Sequence, residues 1–268
     1  MGVGGHGFVL AWASSSTRPL AGVLTEAARE AILSEATGRL TPHSMSDLST
    51  WTCRATPGLS PLAGRLVRLE PLDAAVHGEA LFAAVGGEAN ADIWEWMPVG
   101  PFQAREDLLG FLVAQHTQDG WRTMVIRATG SGDVLGMCAF MRIREAHGSV
   151  EIGCVAFGPR LKRTAEATEA LALMAAHVFD LGYRRYEWKC NNDNLASKRA
   201  AERFGFVFEG IFRNDMVTKG RSRDTAWYSI TDAEWPRLAS ALAGWLAPSN
   251  FAAEAGAQRP TLESFRSV

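Results

Sequence analysis

Two apolar strands flanking one amphipathic helix constrain this chain most. The run Val150-Glu151-Ile152-Gly153-Cys154-Val155-Ala156-Phe157 reads as a buried strand, and a turn over residues 158–164 leads into a helical pattern at 165–180. Within that pattern Ala167, Leu171, Met174, Ala175 and Val178 recur at spacings of three and four, the signature of one buried helix face. Glu166 and Glu169 fall in the first turns, where the helix dipole favours carboxylates, and Gly182 supplies the stop. Residues 185–190 then read as a second strand. Strands joined by a crossover helix are expected to lie parallel with a right-handed connection, which predicts an α/β fold built on a mixed sheet.

The second strand ends abruptly. Tyr186, Trp188 and Cys190 alternate with polar neighbours, and then Asn191-Asn192-Asp193-Asn194 breaks the pattern. Asn194 is placed to cap a short helix over 195–203 with Ala196, Ala200, Ala201 and Phe204 inward, and Gly205 stands where a left-handed residue is wanted. Taken alone, this segment is an ordinary Asn-capped connector.

Taken together, Glu151-Ile152-Gly153 before the crossover helix and the series Cys190, Asp193-Asn194, Ser197, Gly205-Phe206 after it resemble the GNAT superfamily of acyl-CoA-dependent N-acyltransferases. Within that superfamily they are similar to the RimJ/RimL-type N-terminal protein acetyltransferases, over roughly residues 62–236. The resemblance implies a GNAT fold whose two central parallel strands splay apart, with acetyl-CoA as co-substrate and no metal. Its pantetheine arm would add to the open strand through the backbone of Val155 and Phe157, and Asn194 would hold the pantetheine amide. The pyrophosphate would rest on the helix N-terminus at Lys162, Arg163, Thr164, Ala165 and Ala167. Family members carry Gln or Arg, two residues, Gly, one residue, then Gly or Ala in that loop. Here Lys162, Ala165 and Ala167 take those places and no glycine is present. A side chain at positive φ costs about 1–2 kcal/mol, so the loop is expected to keep negative φ throughout, with an earlier helix start. Lys162, Arg163 and the Thr164 hydroxyl would compensate with charge and a donor. A solvated basic turn is the plainer reading of the same residues.

Acyl transfer to nitrogen requires a neutral amine. An α-amino group, with a reference pKa near 7.7–8.0, is roughly a tenth neutral at pH 7, whereas a lysine side chain is well under a thousandth neutral. Only a modest base is then needed, and Glu151 is the first candidate, with Glu187 on the neighbouring strand as the other; either also suits a purely structural carboxylate. Ser197 is the hydroxyl assigned to the departing thiolate, because Ala201 stands where many relatives place a tyrosine; the bland alternative is a first-turn serine. No His is predictably adjacent to Ser197 or Cys190, which disfavours a covalent acyl-enzyme.

On the substrate side, residues 65–69 read as a strand, 74–85 and 104–115 as helices, and 122–128 with 134–143 as a hairpin turning at Gly130-Ser131-Gly132-Asp133. The aromatic run from Trp94 to Phe102 resembles a substrate-lining loop, with Trp94 and Trp96 as candidate acceptor contacts, and suits hydrophobic packing equally well. Residues 206–212 and 225–230 read as late antiparallel strands and 232–246 as a final helix. Lys219, Arg221 and Arg223 fall in the hairpin turn, either solvated or gripping an anionic group. His177, within the crossover helix, reads as structural.

The 268 residues, 47% hydrophobic, suffice for one such domain with extensions. Residues 1–60 are expected to be a poorly structured extension or linker, 61–248 the domain and 249–268 a tail. Within the extension lie an apolar patch at 8–13, a candidate helix at 24–36 and, at Met45-Ser46, an alternative start. The four cysteines show no pairing motif, which suits reduced thiols and a cytoplasmic protein. A net charge of −2 argues against nucleic acid as a partner, and no membrane span is evident. The expected partners are an amine acceptor, either a protein N-terminus or a small molecule such as a polyamine, antibiotic or amino acid, and a second copy in a homodimer. A catalytically degenerate CoA-binding module is the alternative from another class.

Overall fold

The computed structural model describes residues 47–251 and 260–266. The chain divides into two units, Met1–Trp51 and Thr52–Val268. In the first, residues 47–51 form a turn in which the Ser49 N–H donates to Asp47 Oδ1 (2.9 Å); the apolar patch at 8–13, the expected helix at 24–36 and Met45 lie outside the described residues. The second unit contains an eight-stranded mixed sheet in the order β1-β2-β3-β4-β5-β6-β8-β7. Its strands are β1 (Leu62–Ala63), β2 (Val67–Pro71), β3 (Arg122–Ala128), β4 (Val134–Arg144), β5 (Ser149–Phe157), β6 (Arg185–Asn191), β7 (Val207–Thr218) and β8 (Arg221–Thr231). The helices are α1 (Ala74–Val85), α2 (Arg105–Gln118), α3 (Ala165–Asp180), α4 (Leu195–Arg203), α5 (Trp235–Leu246) and α6 (Leu262–Arg266). Among the described residues only β5 and β6, the strands joined by α3, pair in parallel.

Each face of the sheet buries its own core. Val150, Ile152, Tyr186, Trp188 and Cys190 pack with Ala167, Leu171, Met174, Ala175 and Val178 of α3, so the apolar stripe read from the sequence is the buried one. On the other side Val125, Met137 and Ala156 pack with Leu81 and Val85 of α1 and Leu108 and Leu112 of α2. Ile152 and Ala156 are four apart in one strand yet enter different cores. The reason is a bulge: β4 advances two residues from Met137 to Ala139 while β5 advances three from Gly153 to Ala156, and Cys154 takes φ +46°. One extra residue exchanges the faces of everything beyond it.

Several boundaries differ from the sequence reading. Residues 55–58, within the expected extension or linker, are tied down: Tyr183 donates to Ala55 O (3.1 Å), Thr56 to Glu145 Oε1 (3.0 Å), and the Gly58 N–H to His177 Nε2 (3.1 Å). Part of the expected tail also docks, with Leu262 buried and Arg266 Nη1 donating to Glu202 O (2.7 Å). The late hairpin is longer than expected and turns at Lys219 and Gly220, both at positive φ, so Arg223 lies within β8 and is buried. Glu169 has a larger role than a dipole partner: its carboxylate accepts from the N–H groups of Arg65 (3.1 Å), Leu66 (2.6 Å) and Val67 (2.8 Å), binding α3 to the start of β2.

Candidate active site

The parallel ladder between β5 and β6 is only three pairs long, Ser149 with Arg185, Val150 with Tyr186 and Glu151 with Glu187. Beyond it β5 follows β4 as far as Phe157, while β6 follows β8 as far as Asn191. The facing edges from Ile152 and from Trp188 onward therefore carry no ladder between them, and a wedge of open backbone faces the N-terminus of α3. Val155 and Phe157 lie along this edge, half-buried. An extended chain with amide groups, such as a pantetheine arm, matches the donors and acceptors a strand leaves there.

At the broad end of the wedge the loop differs from expectation. Arg163 takes φ +65° and the helix begins at Ala165, so the loop enters the left-handed region without glycine instead of avoiding it. The Thr164 hydroxyl is already committed, donating to Leu161 O (2.7 Å) and accepting from the Ala167 N–H (3.2 Å), which leaves it no proton to offer an incoming phosphate. Lys162 Nζ pairs with Asp92 Oδ2 (2.8 Å), at a partly exposed position from which it can turn. The first-turn N–H groups at Ala165 and Glu166 have no intrahelical acceptor, as in any helix, and they remain the anion-directed groups of this end.

On the opposite wall, α4 starts as the sequence predicts. Asn194 caps it through Oδ1, which accepts from the Ser197 N–H (3.0 Å), so any hold on a pantetheine amide is left to its other side-chain atom. The Ser197 oxygen accepts from Trp188 Nε1 (3.0 Å), an interaction the sequence did not reveal. Because the indole can only donate, the serine keeps its own proton, for which the neighbouring Cys190 sulfur is one acceptor. Burial pushes the Cys190 thiol up, with the Ser197 hydroxyl pulling the other way, which disfavours the thiolate a nucleophile would need.

At the fork, Glu151 and Glu187 sit in register on neighbouring strands, each 2% exposed. Glu187 Oε1 accepts from Arg144 Nη2 (2.6 Å) and Arg185 Nε (2.8 Å). Arg185 also grips Glu209 with both terminal nitrogens (2.6 and 2.5 Å). Glu151 Oε2 has Lys189 Nζ at 3.2 Å and Arg142 Nε at 3.6 Å, ion pairs whose geometry falls short of hydrogen bonds. Burial holds the Glu151 carboxyl above its ordinary pKa, Lys189 and Arg142 pull it back down, and Glu187 pushes the same way as burial. Gly153 fits the motif for a steric reason, since a Cβ there would lie 2.3 Å from Met141 Sδ and 3.0 Å from Glu151 Oε1.

Over these carboxylates opens a cavity of about 550 Å³, lined among others by Arg142, Arg144, Glu187, Lys189, Phe212 and Trp227. Glu187 reaches its wall, while Glu151 lies behind Lys189 and Arg142. The expected aromatic contacts sit elsewhere. Trp94 is fully buried, donates from Nε1 to Val85 O (2.7 Å) and packs edge-on against Phe102, so it is a core residue and not an acceptor contact. Trp96 is on the surface and does not line the cavity. The aromatic residues that do, Phe212 and Trp227, carried no sequence signal beyond strand alternation. Among the described residues no group of three or more His, Cys, Asp or Glu could hold a metal ion, and no helix is long and apolar enough to cross a membrane.

A family model for the acetyltransferase (GNAT) domain matches residues 66–207. A GCN5-related N-acetyltransferase from Brucella melitensis is 48% identical, with a TM-score of 0.77 over 81% of this chain and 99% of that one. A GNAT-family structure from Chromobacterium violaceum is 41% identical, with a TM-score of 0.68 over 72% and 96%. At 16% identity, a spermidine N-acetyltransferase from Vibrio cholerae, solved with CoA and spermine, shares the fold with a TM-score of 0.54 over 65% and 99%. A search of curated proteins returns no match.

Proposed function

The chain belongs to the GNAT acetyltransferases and is an acyltransferase, and on that premise we propose that it moves acetyl from acetyl-CoA to a protein N-terminal α-amine by direct attack. The observation that carries the reading is the ladder ending at Glu151 and Glu187, which leaves a backbone-lined wedge directed at a helix N-terminus. The pantetheine arm would lie along Val155 and Phe157, with Asn194 across from it, and the diphosphate on the 162–167 segment. The acceptor would enter from the cavity side, where the carboxylates are.

As the amine nitrogen forms its bond to the acetyl carbon, the carbon–sulfur bond breaks and the nitrogen must lose a proton. Glu151 takes that proton through a water, and its raised pKa brings it closer to the pH at which a base is useful. Ser197, its oxygen already satisfied by Trp188, donates to the departing sulfur. The α-amine is favoured because it needs so mild a base, and the RimJ/RimL-type likeness of the 190–206 series points the same way.

Thiol release tests this directly, with peptides bearing free α-amines set against lysine side chains and polyamines. The reading expects release with α-amines and a loss of about 10² to 10⁴ in kcat for folded Glu151→Gln. Unchanged kcat in both Glu151→Gln and Ser197→Ala would reject the assigned roles, and absence of acetyl-CoA binding by calorimetry would reject the function.

A further inference from the structure

The cavity over the fork carries a charge arrangement that acetyl transfer alone does not require. Arg185 is spent on Glu209 and Glu187, and Arg144 on Glu187. Arg142 and Lys189 are left sharing one buried carboxylate, Glu151. Arg142 is 42% exposed along its side chain, and its guanidinium carbon sits over Trp227, 4.8 Å from the ring centroid; Lys189 Nζ is 5.4 Å from the same ring. The Trp227 indole N–H is buried without an acceptor. Arg142, Lys189 and this N–H are thus left as donors for an anion, beside two carboxylate oxygens, Glu151 Oε2 and Glu187 Oε2, that also lack a hydrogen-bond partner.

The backbone is bent to put them there. Met141 pairs with Glu151 and Arg144 with Ser149, so Arg142 and Ile143 together face Val150 alone, and Arg142 takes φ +45°. A bulge re-aims a side chain, and a non-glycine residue held in the left-handed region is strain that a purely structural arginine would not need. Asp215, exposed at the rim, is the one acidic group of the lining outside the Arg144–Arg185 network.

Building on the acetyl-transfer reading, we propose that the acceptor carries a carboxylate close to its amine, and that Arg142 and Lys189 select it by binding that carboxylate. An amino acid and a peptide with an acidic residue next to its N-terminus both present this chemistry, whereas a polyamine has the wrong sign for these two cations. The cavity volume of about 550 Å³ suits either. Binding also couples to the chemistry: an incoming carboxylate draws Arg142 and Lys189 off Glu151, and losing those cations makes Glu151 a stronger base.

The test is thiol release with peptides identical except for Asp, Gln or Lys at the second residue, alongside free aspartate, free glutamate and spermidine. The proposal expects acidic acceptors to exceed the Lys peptide and spermidine by about tenfold or more in kcat/KM. Arg142→Asn, which tolerates the left-handed backbone, should collapse that ratio to within about threefold, and Arg142→Glu should invert it toward Lys peptides. Lys189→Gln, at an unstrained position, should also narrow it. A preference confined to peptides identifies protein N-termini as the source, and one confined to free amino acids identifies small molecules. Equal use of all acceptors, or an acidic preference that survives Arg142→Glu in folded protein, would overturn the proposal and leave acetyl transfer standing. Thiol release with none of them, despite CoA binding, would overturn both.

Discussion

Replacing Glu169 by Ala removes the single acceptor of three backbone N–H groups, and the structure allows its cost to be worked out. Arg65 is exposed and Leu66 half-buried, so water can replace the lost bond at each, whereas the Val67 N–H is fully buried and stays orphaned. At about 1 kcal/mol for each rewetted group and 1–3 kcal/mol for the buried one, the loss is roughly 3–5 kcal/mol. In a unit of this size that lowers Tm by roughly 8–15 °C. Urea unfolding followed by tryptophan fluorescence measures it, with an unchanged m-value confirming that the native state alone was altered. Gly64 offers a cross-check, because a Cβ there would fall 2.5 Å from Glu169 Oε2. Gly64→Ala should therefore cost less in Glu169→Ala than in the wild type, with only the end of the Leu173 side chain, 2.9 Å away, left to move, a coupling visible in a double-mutant cycle. A loss under about 1 kcal/mol, with additive effects of the two substitutions, would refute the claim that this carboxylate fastens α3 to the sheet.

Three further outcomes follow from the same geometry. Because the folded-state pKa of Glu151 is raised, its charged form costs stability above that pKa; Glu151→Gln should melt no lower than wild type at neutral pH while losing activity, and the acidic limb of the wild-type kcat/KM profile should be absent in the variant. Burial depresses the His177 pKa below its ordinary 6.5, and protonation would set a donor against the Gly58 N–H, so stability present above pH 6.5 should decline as pH falls through the folded value; His177→Gln should flatten that decline in pH-dependent melting curves. Arg163→Gly relieves a left-handed residue and should raise Tm, with stabilisation of up to about 1 kcal/mol; a clear destabilisation would mean that the arginine side chain holds the loop.

Much of the scaffold was legible because periodicity reports burial. The stripe on α3, the Asn194 cap, the alternation of Tyr186, Trp188 and Cys190 and the turns at Gly182 and Gly205 all appear where pattern alone places them. The same alternation could have placed Glu187 and Lys189 together on the opposite face. Their register with Glu151 could not be read, since strand pairing is a tertiary choice. The bulges at Arg142 and Cys154 were also hidden: left-handed non-glycine residues have no sequence signature, yet they decide which side chains reach the cavity. Trp94 illustrates the opposite difficulty, an aromatic residue in an irregular segment whose indole satisfies a helix-end carbonyl at Val85 instead of meeting a substrate.

Backbone hydrogen exchange with and without acetyl-CoA tests the open wedge most directly. Amides along residues 153–157 that do not already bond β4 should gain protection when the co-substrate binds, together with those at 165–166, while the three-pair ladder from Ser149 to Glu151 changes little. Tight binding that leaves residues 153–157 exchanging as before would contradict the wedge as the pantetheine site.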